Sequence, residues 1–545
     1  MSSATQTVTP SGWAPLRRPL FRNRTIASVV SNLGSWMQDT AGTWLMTVLT
    51  GSPLLIALMQ TAASLPVLLL GLPAGATADI FDRRRLLMFW QAWMLAAALV
   101  LCALTLAGII SPWALLVLTF FLNIGSAMNN PAWQAIVPEL VPRSELPDAI
   151  SINSAGFNLA RAVGPALGGL AVAAFASVTT GAGSVFLFNA ASFIAVIAML
   201  YTWHRTPLFK SALPSERLFG SMRAGVRYAF YAPALRAILF RAFLFTVFVS
   251  SIWALLAVVA QQDLHQGAMG YGILNGCIGL GAVMGAASLP RTRRMLPADT
   301  IITVSCGVFV GALLILSFVR NVPLIVFSLI ASGFAWTSTT STLNVGVQLS
   351  VPAWVQARSL GLYQMIFQGG MALGSAVWGV VAEHYSTSRS LLCAAIGLAI
   401  TLPLSRRFHV LHGKLPDLRP FALNRPGPAV AIEPRPEDGP VLISIQYCIR
   451  ESDYDAFTRA IHKMRDVRMR DGAIRWGVYQ DTADPNHMME TFVVESWIEY
   501  LRQRERLTTS DRLIRDHVLA FHQGDSPPKA SHMIYAKEVE PGAVR

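Results

Sequence analysis

The stretch Gly71–Trp90, GLPAGATADIFDRRRLLMFW, interrupts an apolar, glycine-spaced run with Asp79, Asp82 and three consecutive arginines, Arg83, Arg84 and Arg85, then turns apolar again. A brief burst of charge between two long apolar runs reads as a loop joining two membrane-crossing helices, each needing about 20 apolar residues at about 1.5 Å apiece. Reading outward for such runs gives twelve: roughly 26–49, 53–76, 86–108, 112–136, 149–176, 184–203, 237–260, 270–290, 299–319, 322–345, 359–382 and 389–407. The breaks are short and carry turn chemistry: TGSP at 50–53, AGIISP at 107–112, TTGAGS at 179–184 and RNVP at 320–323.

Bulk composition agrees. Of 545 residues, 53% are hydrophobic and only 13% charged, where an ordinary soluble domain has about a quarter charged. So few polar residues cannot coat several soluble domains, and a polytopic membrane protein is the class that fits. The formal net charge of +13 is mostly arginine; in such a protein the excess belongs to cytoplasmic loops, which argues against a nucleic-acid partner. The cysteines, Cys102, Cys277, Cys306, Cys393 and Cys448, are scattered and offer neither metal spacing nor a disulfide framework. No cofactor motif is present, and no G-x-x-x-x-G-K-[ST] loop that would bind ATP. Residues 1–20 are polar and contain prolines, and the first apolar run lacks a cleavage-site pattern, so it reads as a retained span.

Loop charge orients the chain. Connections after odd-numbered runs hold almost no Lys or Arg, Arg320 and Arg389 excepted. The others hold Arg83–Arg85, Arg143, then Arg205, Lys210, Arg217, Arg223 and Arg227, then Arg291, Arg293 and Arg294, and finally Arg358; Arg17, Arg18, Arg22 and Arg24 precede the first run. This bias predicts both termini in the cytoplasm. The chain also repeats. A shift of 210 places Gly75 on Gly285, Arg83 and Arg84 on Arg293 and Arg294, Val141-Pro142 on Val351-Pro352, Gly164 on Gly374, Gly169 on Gly379 and Gln134 on Asn344. Two parallel six-helix repeats with a substrate site between them near the midplane are expected. Asp79 falls on Leu289, so the acid of the loop is lost in the second half.

Domain limits follow: a first bundle over 1–203, an inter-bundle loop over 204–236, a second bundle over 237–408, a proline-rich linker over 409–440 and a soluble unit over 441–537. In the last, VLISIQYCI, IRWGVYQ, METFVVESW and SHMIYAKEV read as strands, and 453–470 and 508–521 as helices. The order βαββαβ is ferredoxin-like. The expected fold class is thus an all-α membrane protein of twelve transmembrane helices in two six-helix repeats, plus a C-terminal α+β ferredoxin-like domain.

Buried charge is a further signal. Asp39 and Arg161 each lie about 12 or 13 residues into their runs, about 18–20 Å from the same side. Both are therefore near the bilayer middle, where a charge costs at least about 2.5–3.5 kcal/mol. Opposite signs at matched depth predict a pair or a shared cavity: Asp39 as a proton-linked acid and Arg161 as its partner or a substrate anchor, or else a static salt bridge that orders the bundle.

The loop GATADIFDRRR, Gly75 to Arg85, resembles the loop motif of the major facilitator superfamily, in its form closest to bacterial exporters such as the enterobactin exporter and macrolide efflux proteins. The resemblance covers residues 20–408 and implies that Gly75, Asp79, Asp82 and Arg83–Arg85, with Arg293 and Arg294, form a cytoplasmic latch; the alternative is that the arginines only fix topology. Glycine at 75 would let the second helix approach a neighbour closely. GFNLARAVGPALGG, with Gly156, Gly164, Pro165, Gly168 and Gly169, resembles the antiporter motif of drug exporters and implies proton entry coupled to export; ordinary small-residue packing is the alternative. In the family fold helices 1, 4, 7 and 10 line the cavity, which nominates Asn32, Gln38, Asn123, Asn129, Asn130, Gln134, Trp336 and Asn344 for substrate contact, against simple interhelical hydrogen bonding. The terminal unit resembles the dimeric α/β-barrel of antibiotic-biosynthesis-type monooxygenases. That implies a homodimer through this unit, with Trp476, Trp497, His487 and His517 as pocket candidates; no motif fixes a catalytic residue.

The resulting expectation is a secondary exporter of amphipathic small molecules, of drug or siderophore class, working by proton antiport in a bacterial cytoplasmic (inner) membrane. Its partners are the lipid bilayer, a small-molecule substrate and protons, with no metal. Two alternatives stay open: a transporter fused to a catalytic unit that modifies the exported compound, and a membrane sensor that does not transport.

Overall fold

A computed structural model describes residues 13–142, 144–203, 218–405, 410, 417–419, 434–524 and 526–536, with only the backbone described at 76, 79–80, 138–139, 218–222 and 404–405. The Asp79 side chain, Arg143, Arg205, Lys210, Arg217 and most of the linker lie outside the described residues. The chain forms two compact units, one of Met1–Ser215, Leu239–Asn344 and Gly361–His409, the other of Glu216–Ile238, Val345–Leu360 and Val410–Arg545.

The first unit is helical. Its elements are α1 (Pro19–Leu49), α2 (Pro53–Ile80), α3 (Arg83–Leu106), α4 (Pro112–Ala135), the single turn α5 (Val137–Leu140), α6 (Leu146–Ala173) and α7 (Val178–Thr202). After α8 (Leu218–Tyr231), which belongs to the second unit, come α9 (Pro233–Val258), α10 (Ala268–Met295), α11 (Ala298–Phe318), α12 (Val322–Ser350), α13 (Ala353–His384) and α14 (Thr387–Ser405). The turn chemistry is local. Ser52 and Ser111 cap α2 and α4 by accepting from the Leu55 and Ala114 amides, each followed by proline at the first helical position. Gly108, at φ +71°, ends α3 with the Ile109 amide reaching back to the Leu104 carbonyl, the left-handed helix stop that favours glycine. TTGAGS is different: it lies inside α7, whose cap is Ser177. A Cβ at Gly181 would meet the Val172 carbonyl oxygen at 2.5 Å, so that glycine permits packing rather than a turn.

Among the described residues nine helices are long and apolar enough to cross a membrane: α2, α3, α4, α7 and α9–α13. The other three long helices miss for different reasons. α14 is short in its apolar stretch, whereas α1 and α6 are diluted by polar residues, including Asp39 and Arg161. Large apolar side chains such as Leu69, Phe89, Leu99, Val117 and Phe121 are exposed, a surface that lipid would cover.

The repeat is carried by contacts. A Cβ at Gly164 would meet Trp36 and Met37 of α1; one at Gly374, 210 residues on, would meet Val247 of α9, the counterpart of Met37. Gly169 meets α10 at Ala268 and Gly272, and its counterpart Gly379 meets α2 at Leu54 and Ala57.

In the second unit, β1 (Val441–Cys448), β2 (Ala473–Gln480), β3 (His487–Val494) and β4 (Lys529–Ile534) form one sheet in the order β2-β3-β1-β4. All three pairings are antiparallel, and Ile443 faces Phe492 on one side and His532 on the other. The helices are α15 (Tyr454–Asp471), α16 (Trp497–Arg506) and α17 (Thr509–Leu519). The expected βαββαβ order holds apart from α16, which the strand reading of METFVVESW had absorbed. The strand stops at Val494; Ser496 caps α16 by accepting from the Glu499 amide, and Trp497 opens the helix.

Candidate functional site

The first unit encloses a cavity of about 60 Å³ that Asp39 lines together with Trp36, Gln38, Gly42 and Thr43 of α1, Gln60 of α2, Trp253 of α9, and Tyr271 and Asn275 of α10. At about 10–15 Å³ per water centre it has room for a few waters. Asp39 is accessible to solvent, lies ten residues from the Leu49 end of α1, and among the described residues has no hydrogen bond or ion pair. Among the described residues no ion pair joins it to Arg161. The Arg161 guanidinium instead lies between two indoles, 5.8 Å from Trp36 and 5.7 Å from Trp336, a cation–π arrangement. Trp36 is thus common to both: it lines the cavity of the acid and faces the base.

The other nominated polar residues separate into groups. Gln38 lines the cavity, but its carbonyl oxygen accepts from Asn189 Nδ2 at 2.7 Å, fixing α1 to α7. Asn32 donates to Ser28 on its own helix (3.3 Å), Asn123 to the Thr119 carbonyl (2.9 Å), and Gln134 to Asn130 (3.1 Å). Asn129 accepts from Gln91 of α3 at 3.4 Å. Trp336 is buried against Trp253 at 4.5 Å and Phe367 at 5.4 Å, and Asn344 is half-buried on α12. Of these, only Gln38 lines the cavity of Asp39.

The charged loop has a concrete job. Asp82 caps α3 by accepting from the Arg85 amide at 3.0 Å. Arg83 donates to the Ala135 carbonyl at the end of α4 (3.1 Å), and Arg84 to the Leu200 and Tyr201 carbonyls at the end of α7 (2.9 and 2.7 Å). Cations on orphan carbonyls at helix C-termini are favourable. Arg85 is exposed, as are Arg293 and Arg294 in the last turn of α10. At Gly75 no close approach to another helix is seen: among the described residues no atom of another element lies within 4 Å of where its Cβ would be.

The glycines of α6 do. A Cβ at Gly156 would meet Val29, and at Gly168 the Met37 carbonyl oxygen at 2.7 Å; at Gly169 it would meet the Ala268 oxygen at 2.5 Å and Gly272 Cα at 2.8 Å. α6, with Pro165 buried inside it, therefore packs on α1 with one face and on α10 with another. Gly169→Ala is expected to cost about 1–3 kcal/mol by overpacking backbone on backbone, lowering the unfolding temperature of the purified protein. Gly75→Ala should leave it unchanged.

The contacts between the two halves include a polar group at the Glu383 end. Glu383 accepts from the Ser52 hydroxyl (2.8 Å) and the Leu54 amide (3.2 Å), Gln261 donates to the Thr47 carbonyl (3.1 Å), and Trp44 stacks on Tyr271 at 5.9 Å. The α6–α10 approach runs from Gly169–Gly272 to Ala162–Gly279, next to Arg161.

Two charged groups escaped sequence reading. Arg24, assigned to the N-terminal arginines outside the spans, is fully buried in α1, donating to Asn153 Oδ1 (3.0 Å) and the Trp133 carbonyl (3.1 Å). Arg241 of α9, 6% exposed, is ion-paired with Asp299 of α11. Opposite charges at the start of two apolar runs that cross in the same direction, with one run between them, are the available signal.

Comparison with known proteins agrees with this architecture. The family described as "Transmembrane secretion effector", a major facilitator family, matches residues 10–540. An MFS-type transporter of Bacillus subtilis (strain 168), YfiS, is 27% identical over 407 residues, covering 71% of this chain and 94% of its own. The staphyloferrin A transporter of Staphylococcus aureus is 24% identical, covering 70% and 94%. The multidrug efflux pump Tap of Mycolicibacterium fortuitum is 24% identical, covering 69% and 91%. Among solved structures, the nucleoside transporter NupG aligns with a TM-score of 0.60 at 13% identity over 71% of this chain and 99% of its own, a likeness of fold. With a helical body built from repeated contacts, an acid-lined cavity inside it and a family match along nearly its whole length, the chain belongs to the transmembrane secretion effector family of major facilitator secondary transporters.

Proposed function

We propose that this chain exports amphipathic small molecules by proton antiport, rocking its two halves about the cavity of Asp39. The observation that carries the reading is an aspartate about two-thirds of the way along α1, without an ion pair among the described residues, opening on a cavity large enough for water. Such a carboxylate depends on access to solvent for its charge, which is what a proton carrier in an alternating-access cycle requires. Twelve spans complete the architecture, with α1, α6 and α14 crossing the membrane beside the nine apolar helices and both termini in the cytoplasm. In that orientation the half-to-half contacts near Glu383 seal the outer side, and the arginine-rich loop lies on the inner side. There the caps made by Arg83 and Arg84 would hold α3 to α4 and α7 as the gate moves. The names of relatives support this substrate class: they speak of a siderophore, of drugs and, for a protein of Streptococcus pyogenes, of macrolides.

The test is reconstitution into proteoliposomes with an imposed pH gradient and a panel of a macrolide, a lipophilic cationic dye and a hydroxycarboxylate siderophore. Substrate movement against a matching proton flux, followed with a trapped pH indicator, is expected. Flux indifferent to the gradient, or none across the panel, would count against the proposal.

A further inference from the structure

A second cavity, of about 230 Å³, lies inside the C-terminal unit. Ile443 and Phe492, register partners on β1 and β3, form part of an apolar floor with Leu507 and Leu519. Its polar wall is cationic: Arg468, Arg504 and Arg515 line it, and no carboxylate does among the described residues. Arg468 is oriented, not loose. The Glu490 side chain, fully buried behind it, accepts from Arg468 Nε (3.1 Å) and Nη2 (3.2 Å) and is itself held by Trp476 Nε1 (3.0 Å) and the Tyr447 hydroxyl (3.2 Å). The Tyr500 hydroxyl and His532 Nε2 meet at 2.5 Å on another wall. Burial and then the charge of Arg504 hold His532 below its ordinary value, so the imidazole is neutral near pH 7 and adds a hydrogen-bonding group to a wall whose charge comes from arginine.

We propose that this cavity is a binding site for a small organic carboxylate with an apolar body, separate from the transport cavity and independent of the antiport reading. Arginine forks match a carboxylate in shape and charge, and the floor excludes a bare inorganic anion as the best occupant. The volume is below the ~300–1,000 Å³ of drug-sized sites, which points to a ligand of one ring. None of Trp476, Trp497, His487 and His517 lines it.

The experiment is titration calorimetry of the full chain in detergent with phenylacetate, its uncharged isostere phenylacetamide, and inorganic phosphate. Ala530→Trp protein in the same detergent serves as the partition control, since Ala530 lines the cavity from an exposed position on β4. Saturable phenylacetate binding is expected, with the amide and phosphate at least about tenfold weaker, the size of losing a charge-assisted bond. Arg504→Gln should weaken phenylacetate by a similar factor, and Ala530→Trp should abolish it. No binding to the wild-type chain, equal affinity for the amide or for phosphate, or binding that survives Ala530→Trp or is unchanged by Arg504→Gln would overturn the assignment.

Discussion

Asp39→Asn is expected to bring pH-gradient-driven transport down to the level of protein-free vesicles while leaving substrate exchange without a gradient intact. The reasoning is one of charge and volume. Asparagine occupies nearly the same space as aspartate, so the walls formed by Trp36, Gly42, Trp253 and Tyr271 keep their places, and no ion pair is lost because Asp39 makes none among the described residues. What disappears is the carboxylate that lines the cavity, the group to which the antiport proposal gives the proton. Exchange needs only the conformational cycle, so it should persist, and a tenfold effect on it would already count as large, being about 1.4 kcal/mol. The two assays therefore separate coupling from folding and binding. Asp39→Glu should restore part of the driven flux. A driven flux equal to wild type in Asp39→Asn would remove Asp39 from the proton path. Arg161→Met makes a useful companion: with its guanidinium between Trp36 and Trp336, its loss should weaken substrate exchange more than coupling.

Much of the helical body was legible because its signals are local. Apolar runs, serine–proline caps and a left-handed glycine depend on a few neighbouring residues, and they sit where the sequence put them, as Ser52-Pro53, Ser111-Pro112 and Gly108 do. The 210-residue repeat was legible for a related reason. Packing glycines such as Gly164 and Gly374 have no side chain to exchange, so equivalent helix crossings preserve them at equivalent positions. Partners set by tertiary packing were not legible. Arg83 and Arg84 read as part of a cytoplasmic latch or as topogenic charges, and only the folded chain brings the ends of α4 and α7 to them. Gly75 and Gly169 look alike in sequence, yet one faces open space and the other a carbonyl. Counting residues puts Asp39 and Arg161 at matched depth, but it leaves the angle around each helix undefined, and the fold sends Arg161 to two tryptophans rather than to the acid. α16 escapes the sequence reading because Trp497 is an aromatic close behind β3, although it falls out of step with the buried Phe492 and Val494; the capping serine before it is the stronger signal.

The other large effect is expected in the second unit, from Glu499→Ala. Glu499 of α16 accepts from two arginines: Arg227 of α8 at 3.2 Å and Arg506 of its own helix at 2.6 Å, with side-chain exposures of 13%, 14% and 5% for Arg227, Glu499 and Arg506. Burial holds the Arg227 guanidinium below its ordinary value even with Glu499 beside it, so desolvation already weighs on this cluster. Arg506 also donates to the Asp471 carbonyl at 2.7 Å and lies 4.4 Å from the Trp354 ring, while Arg470 lies 5.4 Å from Tyr228. α8, α16 and the start of α13 are thereby tied to one another 272 residues apart in sequence. Removing Glu499 takes away the acid that both guanidiniums bond and leaves them only the weaker pull of Glu495 on Arg227 and of Asp471 on Arg506, a change worth up to about 3–5 kcal/mol in buried pairs. Where cleavage tracks the opened population, 3 kcal/mol is about a hundredfold faster proteolysis, so trypsin digestion of the full chain in detergent gives the readout. The triple change Arg227→Met, Glu499→Met and Arg506→Met separates the electrostatic account from a merely packed one. Replacing the whole ionic cluster with apolar side chains of similar length should recover most of the protection, because a buried ion pair holds little net stability over a hydrophobic equivalent. If the triple variant is as labile as Glu499→Ala, packing around α8 and not charge compensation is what the glutamate supports.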